Sequence, residues 1–295
     1  MRQEGFLSRL QSGRVIVADG AMGTMLQTAG LPPGMPPEGW LLQNPGAVVG
    51  VHQAYIEAGS DLLLTCTFGA TRPRLERSGL GDRVGEINQR AVEVAREAAD
   101  DGAFVAGDIG PLGEFLTPLG TLTYEEAVGI FAEQAAALTK AGVDLLYVET
   151  MAALDEVNAA IEGALQAGEG TPVTVTLSFD SHGRTNMGVR PEEAAEALLE
   201  WGVNALGANC GATLDMTLGA VETMHQVAPG IPLIVKPNAG KPRLVGDEVV
   251  YDATPEDMAS YARRFVDLGA RIVGGCCGST PEHIAAIARA VRSVR

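Results

Sequence analysis

Four cysteines stand in the 295-residue chain, and three of them lie where thiol chemistry is possible. Cys276 and Cys277 are adjacent in Val273-Gly274-Gly275-Cys276-Cys277-Gly278, and Cys210 lies in Gly207-Ala208-Asn209-Cys210-Gly211. Neighbouring residues of a strand point to opposite faces, so adjacent sulfurs act together only where the backbone bends. The flanking glycines permit such a bend and let other groups approach closely. Two small buried hydrophobes are the structural alternative, since free cysteine is among the most buried residues. A vicinal disulfide is disfavoured by strain. Converging thiolates suit zinc, which binds sulfur at about 2.3 Å and keeps an open fourth position in catalytic sites. The ligands come from separate strands and match no zinc-finger spacing, so a catalytic zinc is expected over a structural one. Cys66 ends the apolar run from Leu62 and is expected in the core or the pocket wall.

Three thiolates donate heavily to a metal and leave a bound water weakly acidic. Such a soft site favours a substrate thiol as fourth ligand. A free thiol ionises near about 8.5, and coordination lowers that value. The chemistry implied is attack of a thiolate on an activated methyl group, an alkyl transfer to sulfur. A substrate must also be held. Asp19 and Glu149 are suited to an α-ammonium group, and backbone donors around Gly20, Ala21 and Met22 to a carboxylate. Capping its own turn is the alternative role for Asp19, at even weight. A glutamate inside an apolar strand is costly to bury without a partner, which favours a role for Glu149. Asp108 is expected in the substrate pocket, with a structural role as its alternative, and Asn209 and Asn238 at their strand ends are expected to bind substrate with it. His52, His182, His225 and His283 end no expected strand and are expected at the surface or in caps.

These residues need elements to carry them. Eight short β-branched runs recur: Val15–Asp19, Asp61–Thr67, Phe104–Gly110, Leu145–Thr150, Val173–Phe179, Ala205–Cys210, Pro232–Asn238 and Arg271–Cys277. The spacing predicts helices over Val84–Ala99, Tyr124–Ala141, Ala153–Gln166, Pro191–Trp201, Leu214–Val227, Pro255–Leu268 and Pro281–Val294. Thr123 with Glu126 reads as an N-terminal cap, and Pro191, Pro255 and Pro281 suit first-turn positions. Eight alternations without a polar linker predict one α/β domain over residues 1–295, a (β/α)8 TIM barrel. An open doubly wound sheet would carry a Gly-rich phosphate loop, which Asp19-Gly20-Ala21-Met22-Gly23-Thr24 resembles only weakly. Polar and metal-competent residues gather at the carboxyl ends of the expected strands, where barrel active sites are built. The proline-rich stretch Gly30–Asn44 is expected as an irregular loop over one barrel end.

The net charge of −16 repels nucleic acid and anionic lipid, so neither is an expected partner. No apolar run reaches the roughly 18 residues of a membrane span. Met1 to Leu10 shows no apolar signal region, and four cysteines make no disulfide framework. A cytoplasmic location with reduced thiols is expected.

The assembled residues resemble the homocysteine S-methyltransferase family from about Val15 to Ile284. The motifs are Asp19-Gly20-Ala21-Met22-Gly23-Thr24, Gly107-Asp108-Ile109-Gly110-Pro111, Val148-Glu149-Thr150, Asn209-Cys210-Gly211, Lys236-Pro237-Asn238-Ala239-Gly240 and Gly274-Gly275-Cys276-Cys277-Gly278. Within that family the chain is most similar to the homocysteine-binding module of cobalamin-dependent methionine synthase, through Gly59-Ser60-Asp61 to Thr71-Arg72 and through Pro118-Leu119-Gly120. The resemblance implies zinc on Cys210, Cys276 and Cys277 with the homocysteine sulfur as fourth ligand. It implies Asp19 and Glu149 at the amino-acid end, and Asn238 where a residue can take zinc's fourth site without substrate. It favours methylcobalamin, on another domain or a separate corrinoid protein, as methyl donor. The chain is then an excised module or a stand-alone enzyme. Other members use betaine, S-methylmethionine or S-adenosylmethionine. Cys66 departs from the pattern, which usually has asparagine there. A zinc lyase or hydrolase would need histidine or carboxylate ligands and a positioned base, which do not stand out. A non-catalytic zinc module would need a fourth protein ligand, for which Asn238 is the candidate.

Overall fold

In the computed structural model, which describes residues 4–100, 102–246 and 248–293, the apolar runs become strands buried on both faces. They are β1 (Ile16–Val17), β2 (Leu62–Leu64), β3 (Phe104–Ile109), β4 (Leu145–Met151), β5 (Val173–Leu177), β6 (Ala205–Cys210) and β7 (Leu233–Pro237). A separate antiparallel hairpin follows, β8 (Pro242–Val245) and β9 (Glu248–Tyr251), and then β10 (Ala270–Val273). The main sheet is parallel and eight-stranded, in the order β1-β10-β7-β6-β5-β4-β3-β2. A parallel bridge from Ala18 to Leu62 joins its two ends. The ring is closed with helices outside, and the expected (β/α)8 barrel is the fold.

Alternate residues of each strand face the barrel interior. Ile16, Leu62, Ala106, Tyr147, Ala205 and Ile234 belong to one interior cluster, joined by Phe6 and Leu10 of helix Phe6–Gln11. Phe6 meets Phe104, at the start of β3, edge to face at 5.7 Å, so this helix plugs the amino end. The opposite end is left for polar residues. Outward residues such as Leu63, Val105 and Val148 pack against the helical layer. Thr123 and Glu126 form a capping box on helix Tyr124–Ala141, and Pro191, Pro255 and Pro281 open their helices as expected.

Four expectations need correction. The second and eighth strands stop early, at Leu64 and Val273. After Val273 the chain has Gly274, where an added Cβ would lie 2.8 Å from the Asp19 carbonyl, so backbone passes too close for a side chain. The stretch Gly30–Asn44 is not wholly irregular. It holds helix Pro37–Gln43, which starts on a first-turn proline and buries Trp40 and Leu41. His52 is not at the surface, being fully buried on helix Pro45–Ala58. His283 is a cap, as expected, and His182 is exposed. The expected helix end at Val294 and residues 1–3 of the amino-terminal stretch lie outside the described residues. Among the described residues no helix is long and apolar enough to cross a membrane.

Candidate active site

Cys210 ends β6, while Cys276 and Cys277 follow β10 beyond two glycines. The register pairs Cys210 with Pro237 of β7, and Cys276 N–H donates to the Pro237 carbonyl at 2.8 Å. Strand pairing therefore delivers the sulfurs to one place. All three lie within 4.8 Å of one another, and the Cys210 and Cys276 sulfurs are 2.9 Å apart. Cys210 takes a left-handed φ of 56° and Gly278 one of 77°. These turns let sulfurs from two adjacent residues face one cluster, since both cysteines lie outside the strand. Hydrogen bonds from Cys210 and Cys276 hold the Cys277 thiol down at about 3. Its own hydrogen bonds, to Cys276 first and then to Cys277, push Cys210 well above the usual thiol range. Anionic sulfur is what a soft metal ion requires. Asn238 sits between the cysteine turns: its N–H donates to the Cys210 carbonyl at 3.2 Å, and its Oδ1 is buried without a partner among the described residues. The donor set and the orphaned oxygen both fit a metal ion.

The cysteines border a cavity of about 600 Å³, which Asp19, Gly20, Ala21, Met22, Asp108 and Glu149 also line. Asp19 is not simply a turn cap. Its Oδ1 meets Lys236 Nζ at 2.7 Å and its Oδ2 accepts from Leu64 N–H at 2.8 Å, all of it buried. Asp108 has a buried Oδ1 with no partner among the described residues, and burial with the Glu149 charge drives its pKa far upward. Burial pushes Glu149 up to about 8, assisted by Cys276 and opposed by Lys236. Lys236 keeps a raised pKa because Asp19 and Glu149 outweigh its own desolvation. Asp19 and Lys236 offset each other, leaving two carboxyls that gain from a cationic ligand.

Glu149 reaches the cavity through a break in its strand. The register of β4 with β5 shifts between Val148 and Met151, and Thr150 takes a left-handed φ of 59°. A bulge of this kind re-aims the side chains beside it. Among the backbone donors expected for a carboxylate, Ala21 N–H is already committed to Ser279 Oγ at 3.1 Å. Tyr55 ties this turn to the cysteine turn, donating to the carbonyls of Ala21 and Ser279. Gly20 has no alternative there, because a Cβ would lie 2.7 Å from both hydroxyls. Asn209 and Asn238 belong to the same end of the barrel but do not line the cavity. Cys66 is buried and lines it, as expected.

Sequence reasoning passed over Lys236, Ser279 and Tyr251. Tyr251, on β9, has its hydroxyl on the Cys277 sulfur, and burial and that contact push it up to about 12. The signal for Lys236 was available: a lysine ending the apolar run Leu233-Ile234-Val235 needs an internal partner. Tyr251 carried none, since its hairpin reaches the site only through folding.

A family model described as homocysteine S-methyltransferase matches residues 16–291. Methionine synthase of Mycobacterium leprae is 33% identical over 94% of this chain, which spans 24% of that protein. Betaine–homocysteine S-methyltransferase 1 of Bos taurus is 32% identical over 97% of this chain and 74% of its own length. This chain thus spans about a quarter of the methionine synthases it matches. The crystal structure of the Escherichia coli homocysteine methyltransferase MmuM in its metallated form superposes with a TM-score of 0.80 at 26% identity. That match covers 95% of this chain and 97% of MmuM.

Proposed function

The chain belongs to the homocysteine S-methyltransferase family, and from that premise we propose that it holds zinc on Cys210, Cys276 and Cys277 and methylates homocysteine to methionine. The observation that carries the reading is the three-sulfur cluster opening into a cavity walled by Asp108 and Glu149. Bound zinc would supply a soft Lewis acid that makes a substrate thiol a thiolate at neutral pH. The residues of the chain do the rest. Glu149 and Asp108 take the α-ammonium group, whose charge favours their ionised forms. Asp19 serves through Lys236, keeping one carboxylate neutralised and leaving the others for substrate. The turn Gly20–Met22 takes the carboxylate end, and the unpartnered Oδ1 of Asn238 would take the metal's fourth position when no substrate is bound. In the transfer one S–CH₃ bond forms and the donor–CH₃ bond breaks, with the thiol proton released beforehand.

Methylcobalamin on another domain or protein is the donor that the methionine synthase likeness supports, with the chain as one module of a longer protein. A second reading, a stand-alone enzyme using betaine or a sulfonium donor, is supported by the likeness to betaine–homocysteine S-methyltransferase 1 and to MmuM. The experiment offers zinc-loaded protein and homocysteine to methylcobalamin, betaine, S-methylmethionine and S-adenosylmethionine in turn, and measures methionine. Methionine from methylcobalamin alone is expected. Methionine from betaine or a sulfonium selects the second reading, and none from any donor removes both.

A further inference from the structure

Behind Glu149 runs a one-way chain of buried hydrogen bonds across three neighbouring strands. Asn209 Nδ2, on β6, donates to Glu149 Oε2 at 3.0 Å. The amide cannot be turned round. Thr150 N–H at 2.9 Å and the Thr176 hydroxyl at 2.8 Å both donate to its Oδ1, which places nitrogen toward Glu149. Thr176, on β5, commits its single hydrogen to that bond, so the Tyr147 hydroxyl 3.0 Å away must be the donor to Thr176. Every group is hidden from solvent: Tyr147 and Thr176 are 0% exposed, Asn209 1% and Glu149 8%. The second Nδ2 hydrogen goes to Thr150 Oγ1 at 2.7 Å. The sulfurs of Cys210 and Cys276, at 4.0 and 3.8 Å from Nδ2, are left with weak contacts. Asn209 is thus fully engaged inside the wall.

We propose that Asn209 is a positioning residue that holds Glu149 with its second oxygen, Oε1, toward the cavity as acceptor for the ligand's ammonium group. The proposal rests on the homocysteine reading. Donors in series polarise one another, so Tyr147 and Thr176 strengthen the bond Asn209 makes. A carboxyl this deeply buried turns neutral unless donors and a cation hold it ionised, and a neutral acid holds an ammonium poorly. The strong bonds of the chain converge on Glu149, and its contacts with the sulfurs are the weak ones of Asn209 Nδ2. Its effect must therefore depend on the ligand's amino group.

The test titrates zinc-loaded wild type, Asn209→Ala, Thr176→Val and Tyr147→Phe with homocysteine, and with 4-sulfanylbutanoate, the same thiol acid without the amino group. Calorimetry reads binding, so no methyl donor is needed, and zinc content is measured for each protein. Asn209→Ala should weaken homocysteine about 10-fold or more, with 4-sulfanylbutanoate changed less than about twofold. Thr176→Val and Tyr147→Phe should show the same selectivity at roughly threefold, as members acting at one remove. Equal weakening of both ligands with zinc retained would reveal a merely structural role and overturn the proposal. Unchanged homocysteine affinity would overturn it too. If Asn209→Ala does not fold, the other two variants carry the same discrimination. Wild type that binds neither thiol would remove the homocysteine reading and this proposal with it.

Discussion

Lys236 and Asp19 are each 3% exposed in their side chains and meet at 2.7 Å. Removing one partner of such a pair leaves an uncompensated buried charge, which costs far more than the pair itself contributes. Lys236→Met should therefore destabilise the protein by about 3–5 kcal/mol in urea unfolding. The double variant with Asp19→Asn should recover most of that loss, since neither charge then remains. Equal stability of the single and double variants would contradict the pairing. At the ligand end, Glu149→Gln keeps shape and loses charge. Homocysteine affinity should fall about 10-fold, and an unaltered affinity would remove Glu149 from the ammonium site.

At the scale of elements, β6 and β7 must run close together for Cys210 to meet Cys276. Gly207 makes this possible, because a Cβ there would collide with the carbonyl oxygen of Ile234. Gly207→Ala should spread the two strands, cost roughly 3 kcal/mol in thermal unfolding, and lower zinc content as well. Full stability with full zinc would show the strands to be more tolerant than this packing allows. Helix Pro45–Ala58 makes a second prediction through His52, whose ring nitrogens are buried without partners among the described residues. Burial pushes its pKa down to about 4, with Asp19 opposing. Between about 4 and 6.5 the unfolded chain binds a proton here that the native chain does not. Stability should thus fall as pH drops from 6.5 to 4, by about 3 kcal/mol from this residue. His52→Leu should flatten that part of the stability-against-pH curve relative to wild type, and parallel curves would exclude the histidine as its source.

For the whole molecule, a metal that binds only the closed barrel adds its binding free energy to folding. Free zinc at about 100 times its dissociation constant would stabilise by roughly 2.7 kcal/mol. Chelation should lower the melting temperature of wild type, and should leave Cys277→Ala unmoved. A Cys277→Ala protein that keeps zinc and its melting response would dismiss the three-sulfur site. Much of the architecture was legible in the chain, because it depends on local pattern. Eight apolar runs alternating with helical periodicity point to a parallel sheet, the missing Gly-rich phosphate loop favours its closure, and chain order then places strand ends together. The three cysteines, Asp19 and Glu149 were legible for the same reason, lying at or just past those ends. What only the tertiary structure decided is how those groups divide their work. Asp19 is paired to Lys236 rather than free, Asn209 stands behind the cavity wall, and Tyr251 arrives from a hairpin onto the Cys277 sulfur. Pattern along a chain reports which face a residue occupies. Which partner it finds across that face depends on the bulge at Thr150, the turns at Cys210 and Gly278, and the register that closes the barrel.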